Sequence, residues 1–109
     1  MFVEIIIPTY DRPAPLKSML ASLVAQTDED WGAHVLIDNP NDERVFKIVE
    51  SFEDPRIRWT KLSERYNNWG HTPREIGKQL STANYVIMSG DDNYYIPTMV
   101  KDLKLIALE

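Results

Sequence analysis

Two adjacent carboxylates, Asp91 and Asp92, follow an apolar run and lie between a glycine and an asparagine. Neighbouring carboxylates repel each other unless a cation or hydrogen-bond donors offset their charge. Magnesium and manganese suit such a pair, because these ions bind one or two carboxylates and complete their shell with substrate phosphates and water. The alternative is a polar turn after a strand, where Gly, Asp and Asn are common. The pattern therefore predicts either a divalent metal site or a plain turn.

Two other apolar runs also end in polar side chains. Asp38 ends the run VLID, where an acid accepts hydrogen bonds from a ribose or a base N–H. Its alternative role is to cap the helix that follows. Tyr10 lies in the segment Thr9–Arg12 after the first apolar run, and its ring either stacks on a base or packs on the rim of the sheet.

Arg74 lies in the first turn of a predicted helix that opens with the capping-box pattern Thr72–Glu75. The helix macrodipole disfavours a cation there, so the arginine indicates an anion such as a diphosphate. The alternative is a salt bridge to Glu75 or another surface acid. The preceding loop 64–70 contains aromatics, amides and one glycine, which predicts a mobile flap or a surface loop that packs Trp69 on its own domain.

The elements that must position these residues follow from the hydrophobic pattern. Apolar or alternating runs predict four strands, at Phe2–Pro8, Ala33–Asp38, Arg56–Leu62 and Asn84–Ser89. Helical spacing predicts four helices: Ala14–Gln26, Val45–Phe52, one from Pro73, and one from Pro97 that faces inward through Val100, Leu103, Ile106 and Ala107. The alternation predicts an α/β fold, a Rossmann-like parallel sheet with helices on both faces. Ligands bind such sheets at the carboxyl ends of the strands.

The composition excludes or disfavours several classes of protein. The 109 residues suffice for one domain, predicted over residues 1–109. The absence of cysteine excludes disulfides and thiolate metal sites, and fits a cytoplasmic location. A net charge of -5 disfavours nucleic-acid binding. No apolar run approaches the roughly 20 residues of a membrane span, and the first residues lack the basic region of a signal peptide.

Two familiar nucleotide-binding motifs are absent from the sequence. Neither G-x-G-x-x-G nor G-x-x-x-x-G-K-[ST] occurs, which disfavours a dinucleotide dehydrogenase and a P-loop NTPase. The two histidines have no metal-ligand spacing. We predict that His34 is a strand residue, that His71 is a loop residue, and that neither is catalytic.

Five segments in order along the chain resemble the inverting family 2 glycosyltransferases of the GT-A fold. Ile5–Pro13 looks like the family's first strand and turn, and Leu23–Thr27 looks like its S-L-x-x-Q-T helix end. Val35–Asp38 looks like the strand with its first acidic residue. Asn68–Gly77 looks like its N-x-G and A-R-N-x-G segments, and Ala83–Asn93 looks like its D-x-D strand. The resemblance implies the nucleotide-sugar-binding half of a GT-A enzyme, with four parallel strands in the order 3-2-1-4.

The resemblance also implies a role for each site residue. Nucleotide-binding residues would be Pro8, Thr9, Tyr10, Asp11, Asp38, Arg74 and Asp91, with Asp38 at the base and Asp91 at the ribose. Asp92 would bind the Mn²⁺ or Mg²⁺ that bridges the diphosphate of a nucleoside-diphosphate sugar, expected to be a UDP-sugar. The metal would stabilise the departing nucleoside diphosphate while an acceptor hydroxyl attacks from the opposite side.

The sequence departs from the family pattern in two ways. Gly90 and Asn93 stand where many members carry further acids, and we expect the acceptor-binding half, with its general base, to lie outside the chain. No general base, sugar or acceptor is therefore assigned. The fourth strand, 84–89, would be an uncovered apolar edge, which predicts self-association or a partner that supplies the missing half.

Several alternatives stay open at this point. The chain is either part of a transferase or a binding module that keeps the nucleotide site without catalysing transfer alone. A nucleotidyltransferase-like enzyme is the third reading, disfavoured because the turn Thr9–Pro13 is not glycine-rich and basic. The expected location is the cytoplasm, or the inner face of a membrane with which the protein associates peripherally.

Overall fold

The structure is a computed structural model that describes residues 2–107. Strands and helices alternate in the order β1 (Val3–Thr9), α1 (Pro13–Val24), β2 (Trp31–Ile37), α2 (Glu43–Ser51), β3 (Ile57–Lys61), α3 (His71–Leu80), β4 (Tyr85–Met88) and α4 (Met99–Ala107). All strand pairs are parallel, and the sheet order is β3-β2-β1-β4. The predicted α/β fold and strand order are confirmed. No helix within the described range is long and apolar enough to cross a membrane.

β1 and β2 form the centre of the sheet. Every residue of both strands is buried, because helices or loops cover both faces. A strand in this position needs apolar residues at consecutive positions, which the IIIP run of β1 provides. Thr9 pairs with Ile37, so the two strands end at the same level. The residues that follow them, Tyr10 and Asp38, therefore emerge at the same edge of the sheet.

Helices cover both faces of this sheet. The larger core lies between the sheet and α1, α2 and α4, and includes Ile5 and Ile7 of β1. Ile6 and Leu36 face the other side, where α3 packs through Ile76, because successive side chains of a strand point to opposite faces. Gly77 brings α3 close: an added Cβ would lie 2.6 Å from Ile6 Cγ2 and 3.0 Å from Leu36 Cδ2.

Gln26 joins α1 to the segment that leads into α4. Its buried side chain donates from Nε2 to the Ile96 carbonyl at 2.8 Å and accepts the Val100 N–H at Oε1, at 3.0 Å. The Val100 N–H lies in the first turn of α4, where the helix itself offers no acceptor. Thr27 adds a backbone hydrogen bond from its N–H to the Pro97 carbonyl. The Gln-Thr pair therefore anchors the chain that follows β4.

α3 begins two residues before the predicted position, and the capping box predicted at Thr72 is wrong. Gly70 precedes the helix with a φ of 80°, and His71 is its first residue rather than a loop residue. Asn68 supplies the cap, because its Oδ1 accepts the Thr72 N–H at 3.2 Å and its Nδ2 donates to the Thr72 hydroxyl at 2.5 Å. Arg74 remains in the first turn, as its N–H donates to the Gly70 carbonyl.

The inward face predicted for α4 is correct only in the first turn. Val100 is fully buried in the larger core, whereas Leu103 is 37% and Ile106 66% exposed. The spacing of apolar residues identifies a helix face, but it does not say what covers that face.

β4 forms one edge of the sheet. It pairs only with β1 within the described residues, and its Tyr85 and Met88 side chains are exposed. The uncovered apolar edge expected from the sequence is present. Self-association through it, or a partner that covers it, stays a prediction.

His34 is a buried residue of β2, as predicted. Its Nε2 lies 2.6 Å from Thr60 Oγ1, and its Nδ1 is buried without a hydrogen-bond partner among residues 2–107. Burial, with a smaller contribution from the positive charge of Arg58, lowers the pKa of His34 to about 4. The imidazole is therefore neutral in the folded protein at mildly acidic pH.

We expect His34 to make the fold less stable as the pH falls from about 6.5 to 4. In this range the unfolded chain binds a proton at His34 and the folded chain does not, so protons favour unfolding. The loss reaches about 3 kcal/mol near pH 4. Urea unfolding of wild type and His34→Gln at several pH values measures it, since carboxylate contributions such as those of Asp28 and Asp54 cancel in the difference. Parallel pH profiles would contradict the expectation.

Candidate functional site

The carboxyl ends of the strands surround a cleft of about 620 Å³. This volume lies within the range of small-molecule sites. The structure brings all the predicted site residues except Asp11 to its wall, namely Pro8, Thr9, Tyr10, Asp38, Arg74, Asp91 and Asp92. The predicted site residues thus meet in one place, although they come from segments up to 84 positions apart.

Asp91 is held by the end of β1. The Thr9 hydroxyl donates to Asp91 Oδ2 at 2.9 Å, and the Asp91 side chain is only 13% exposed. Burial raises the pKa of Asp91, against the hydrogen bond from Thr9 and the charge of Arg12, which lower it. Asp92 differs, because its side chain is 56% exposed. One carboxylate is therefore fixed in the wall, and its neighbour is open to solvent.

Arg12 contacts both carboxylates. Its Nη1 lies 3.3 Å from Asp92 Oδ2 and 3.9 Å from Asp91 Oδ1. Arg12 precedes α1 as its N-cap residue, but its side chain makes no capping hydrogen bond. The two acids therefore converge on a single positive charge. We did not predict Arg12 as a site residue, although an arginine at a strand end of an acidic chain is a usable signal.

Asp38 holds the loop between β3 and α3. Its Oδ1 accepts the Tyr66 N–H at 2.9 Å and its Oδ2 accepts the Asn67 N–H at 3.3 Å, with the residue 5% exposed. The alternative role of Asp38 as a helix cap is wrong, because Asp42 caps α2 and accepts the Val45 N–H. A base contact by Asp38 stays a prediction, and would use the remaining lone pairs of this carboxylate.

The loop itself is strained and exposed. Asn67 and Trp69 have φ angles of 53° and 61°, and the Trp69 side chain is 92% exposed while lining the cleft. Positive φ is rare for a bulky residue, and such strain concentrates at binding sites. The alternative in which Trp69 packs on its own domain is therefore wrong.

Two further arginines line the cleft. The Arg65 guanidinium lies 3.6 Å from the centroid of the Tyr10 ring, a cation–π contact that sequence reasoning missed. Arg74 donates from Nη1 to the Trp69 carbonyl at 2.9 Å, and it forms no ion pair with Glu75 in the described range. Together with Arg12, these arginines balance the three aspartates of the cleft in a chain of net charge -5. The cleft is therefore close to neutral in an acidic chain, so it repels an anionic ligand less than the rest of the surface does.

Asp11 faces a second, smaller cleft of about 380 Å³. Its φ of 50° turns it away from the other predicted residues, and its carboxylate pairs with Arg44. Its N–H donates to Asp42 Oδ2 at 3.0 Å. The structure therefore does not bring Asp11 together with the rest of the predicted site.

A metal at this site would have few protein ligands. No three His, Cys, Asp or Glu side chains within residues 2–107 cluster as a metal site, which leaves the carboxylate pair of Asp91 and Asp92. Mg²⁺ is bound in this manner, through one or two carboxylates with phosphates and water as the other ligands. The donor set fits a divalent ion that arrives with a phosphate-bearing ligand.

Known proteins resemble the chain in sequence and structure. The family model for glycosyl transferase family 2 matches residues 4–106. An uncharacterized glycosyltransferase of Haemophilus influenzae is 26% identical over 95 residues, which are 87% of this chain and 31% of the relative. The Escherichia coli UDP-Glc:alpha-D-GlcNAc-diphosphoundecaprenol beta-1,3-glucosyltransferase WfgD is 26% identical over 94 residues, 86% of this chain and 36% of the relative.

A solved structure shares the fold. S. aureus TarS 1-349 in complex with UDP superposes with a TM-score of 0.87 and 20% sequence identity, over 96% of this chain and 31% of that chain. This match supports the GT-A architecture expected from the sequence. The chain spans about a third of the length of these relatives. Because the family match extends over nearly all of it, the chain belongs to glycosyl transferase family 2.

Proposed function

We propose that the chain is the nucleotide-sugar-binding part of an enzyme that transfers a sugar from a UDP-sugar to an acceptor hydroxyl with inversion. The observation that carries the proposal is the cleft in which Asp91 and Asp92 converge on one cation beside Asp38 and Tyr10. Family membership supports sugar transfer. The UDP-Glc in the name of WfgD and the UDP bound to TarS support a uridine nucleotide.

In this proposal different residues of the cleft bind different parts of the nucleotide. Tyr10 and Asp38 bind the base, and Asp91, which the Thr9 hydroxyl orients, binds the ribose. Arg74 binds the diphosphate, because its guanidinium lies near the amino-terminal end of α3, where backbone N–H groups also favour an anion. The strained loop around Trp69 closes over the ligand, since Trp69 lines the cleft and is 92% exposed.

Asp92, with Asp91 beside it, would hold Mn²⁺ or Mg²⁺. The bound metal would neutralise charge on the leaving nucleoside diphosphate. The protein's own contribution is to present two carboxylates of different character. The buried Asp91 is fixed by Thr9, whereas the exposed Asp92 is free to adjust its oxygens to an incoming ion.

A second candidate is nucleotide binding without transfer by this chain alone. Asp38, Asp91 and Asp92 are the only carboxylates, and no histidine is present, among the described residues that line the cleft. All three are assigned to other tasks, whereas inverting transfer needs a general base within reach of the acceptor hydroxyl. The remaining two thirds of the enzyme would then supply the base and the acceptor site. Turnover of a UDP-sugar by the purified chain would overturn this second candidate.

The first test is thermal unfolding with UDP, GDP or CDP, each with and without Mn²⁺. We expect UDP with Mn²⁺ to raise the melting temperature, because a ligand at about 100 times its dissociation constant adds roughly 2.7 kcal/mol. For a domain of this size that is a rise on the order of 10 °C. No shift with any of the three nucleotides would contradict the proposed function.

Asp92→Asn is the informative variant in this test. The substitution removes the charge that would hold the ion, and the exposed side chain leaves folding intact, so the Mn²⁺-dependent part of the shift should disappear. Asp102→Asn on α4 is the matched control, because it removes the same charge from an exposed aspartate that does not line the cleft. Equal losses in both variants would mean that Asp92 has no specific role.

A further inference from the structure

Arg12 differs from the other arginines of the cleft in what it contacts. Arg65 stacks on Tyr10 and Arg74 donates to the Trp69 carbonyl, whereas Arg12 is paired with Asp91 and Asp92. Within residues 2–107 it is the only basic side chain in ion-pair contact with either of these acids. Its positive charge therefore lies against the same pair of carboxylates that would hold a divalent ion.

We propose that Arg12 competes with the metal for the Asp91–Asp92 pair. Arg12 occupies this pair in the nucleotide-free protein and moves to the diphosphate when metal and nucleotide bind. This inference rests on the proposed function, because it takes a phosphate-bearing ligand as the new partner of Arg12. It assigns Arg12 a positioning role, in which the residue couples metal binding to nucleotide binding.

The contacts of Arg12 permit such a movement. The contacts to Asp92 and Asp91, at 3.3 and 3.9 Å, are long for a charged hydrogen bond, and the Arg12 side chain is 55% exposed. No other hydrogen bond within the described residues holds its guanidinium, and its backbone alone takes part in the start of α1. The side chain can therefore leave the two acids without breaking another contact.

Electrostatics make the two cations exclude each other. A guanidinium and a divalent ion that share the same carboxylate oxygens repel, so one must leave before the other binds. Metal binding to the protein alone is then weakened by the strength of the arginine contact. Since exposed ion pairs are weak, we expect this competition to reduce metal affinity by about threefold to fivefold.

Nucleotide reverses this effect. A diphosphate offers Arg12 a better partner than the aspartates, because a guanidinium matches two phosphate oxygens at once. When Arg12 moves to the diphosphate, the carboxylates become free for the metal. Metal and nucleotide should therefore each bind more tightly in the presence of the other, and this coupling is reciprocal.

The test measures Mn²⁺ binding directly, from the electron paramagnetic resonance signal of free Mn²⁺, without nucleotide. Arg12→Met should bind Mn²⁺ about threefold to fivefold more tightly than wild type. Lys17→Met is the matched control: it removes one positive charge from an exposed residue of α1 that does not line the cleft, and should stay near wild type. Arg12→Gln provides a second neutral variant should Arg12→Met alter the melting temperature. Unchanged or weaker Mn²⁺ binding in these Arg12 variants overturns the proposal, as does the absence of Mn²⁺ binding in all proteins.

A second measurement separates this proposal from the proposed function. The ratio of Mn²⁺ dissociation constants without and with saturating UDP should be smaller in Arg12→Met than in wild type, because the variant has lost the coupling. If UDP and Mn²⁺ bind the wild type but the ratio is the same in both proteins, the role of Arg12 is wrong and the proposed function stands. If Arg12→Met binds Mn²⁺ more tightly but UDP binds neither protein, the competition stands and the proposed function fails.

Discussion

Gly77→Val is expected to destabilise the fold by about 3 kcal/mol or more and to lower the melting temperature by at least roughly 10 °C. A Cβ at this position would lie 2.6 Å from Ile6 Cγ2 and 3.0 Å from Leu36 Cδ2. Ile6 lies in the centre of the sheet with no exposed surface, and its Cγ2 is a branch methyl that cannot swing aside. The steric clash of the valine side chain with the sheet is therefore relieved only if α3 moves away from the sheet.

Gly77→Ala separates this close approach from helix propensity. In an exposed helix the change from Gly to Ala stabilises by about 1 kcal/mol, whereas here we expect a loss. Gln79→Val is the control for the β-branched side chain, because Gln79 is exposed on the same helix. Thermal or urea unfolding compares the three variants. A Gly77→Ala protein more stable than wild type would show that α3 tolerates a wider separation from the sheet.

Asp38→Asn is expected to weaken UDP binding by about 100-fold. The Asp38 carboxylate accepts N–H groups at both oxygens, from Tyr66 and Asn67, and an asparagine offers one acceptor and one donor instead. A backbone N–H would then face an NH₂ group, at a cost comparable to a lost hydrogen bond to a charged group. The loop would loosen and the proposed base contact would disappear together.

Two measurements follow the effects of Asp38→Asn separately. Hydrogen exchange at the Tyr66 and Asn67 amides reports the loop, and UDP titration reports the site. Asp54→Asn is the control, since its carboxylate likewise accepts the Arg56 N–H but lies at the amino-terminal edge of the sheet. We expect Asp54→Asn to leave UDP affinity unchanged. Wild-type UDP binding by Asp38→Asn would exclude the proposed base contact, and unchanged exchange at the two amides would show that the carboxylate is not needed to hold the loop.

The centre of the fold could be predicted because its signals are local. β1 is a nearly all-apolar run, as expected for a strand buried on both faces, and the alternation of strands and helices implies a parallel sheet. Since carboxyl ends of parallel strands meet at one edge, the residues after β1, β2 and β4 were expected together there. Of the predicted site residues, all except Asp11 line one cleft.

The details that the sequence did not reveal depend on non-local contacts. The sequence at Thr72 matches a capping box, in which Glu75 would accept the Thr72 N–H. In the structure Asn68, which lies before the helix, accepts this N–H instead. Asp11 was expected in the main cleft, but its backbone takes a positive φ that directs it to Arg44. Arg12 directly follows this turn and lines the main cleft, and no periodicity of residues encodes a turn of this kind.

The hydrogen bond between Thr9 and Asp91 joins residues 82 positions apart, and it has a consequence for the growing chain on the ribosome. β1 is synthesised before the other three strands, and one of its two neighbours in the sheet, β4, is translated after β2 and β3. Until β4 leaves the exit tunnel, one edge of the apolar β1 lies open, and Asp91 and Asp92 are absent from the cleft. The nascent chain therefore cannot assemble this site until Asp91 and Asp92 have been translated. During that interval, β1 is the segment that a chaperone would have to shield.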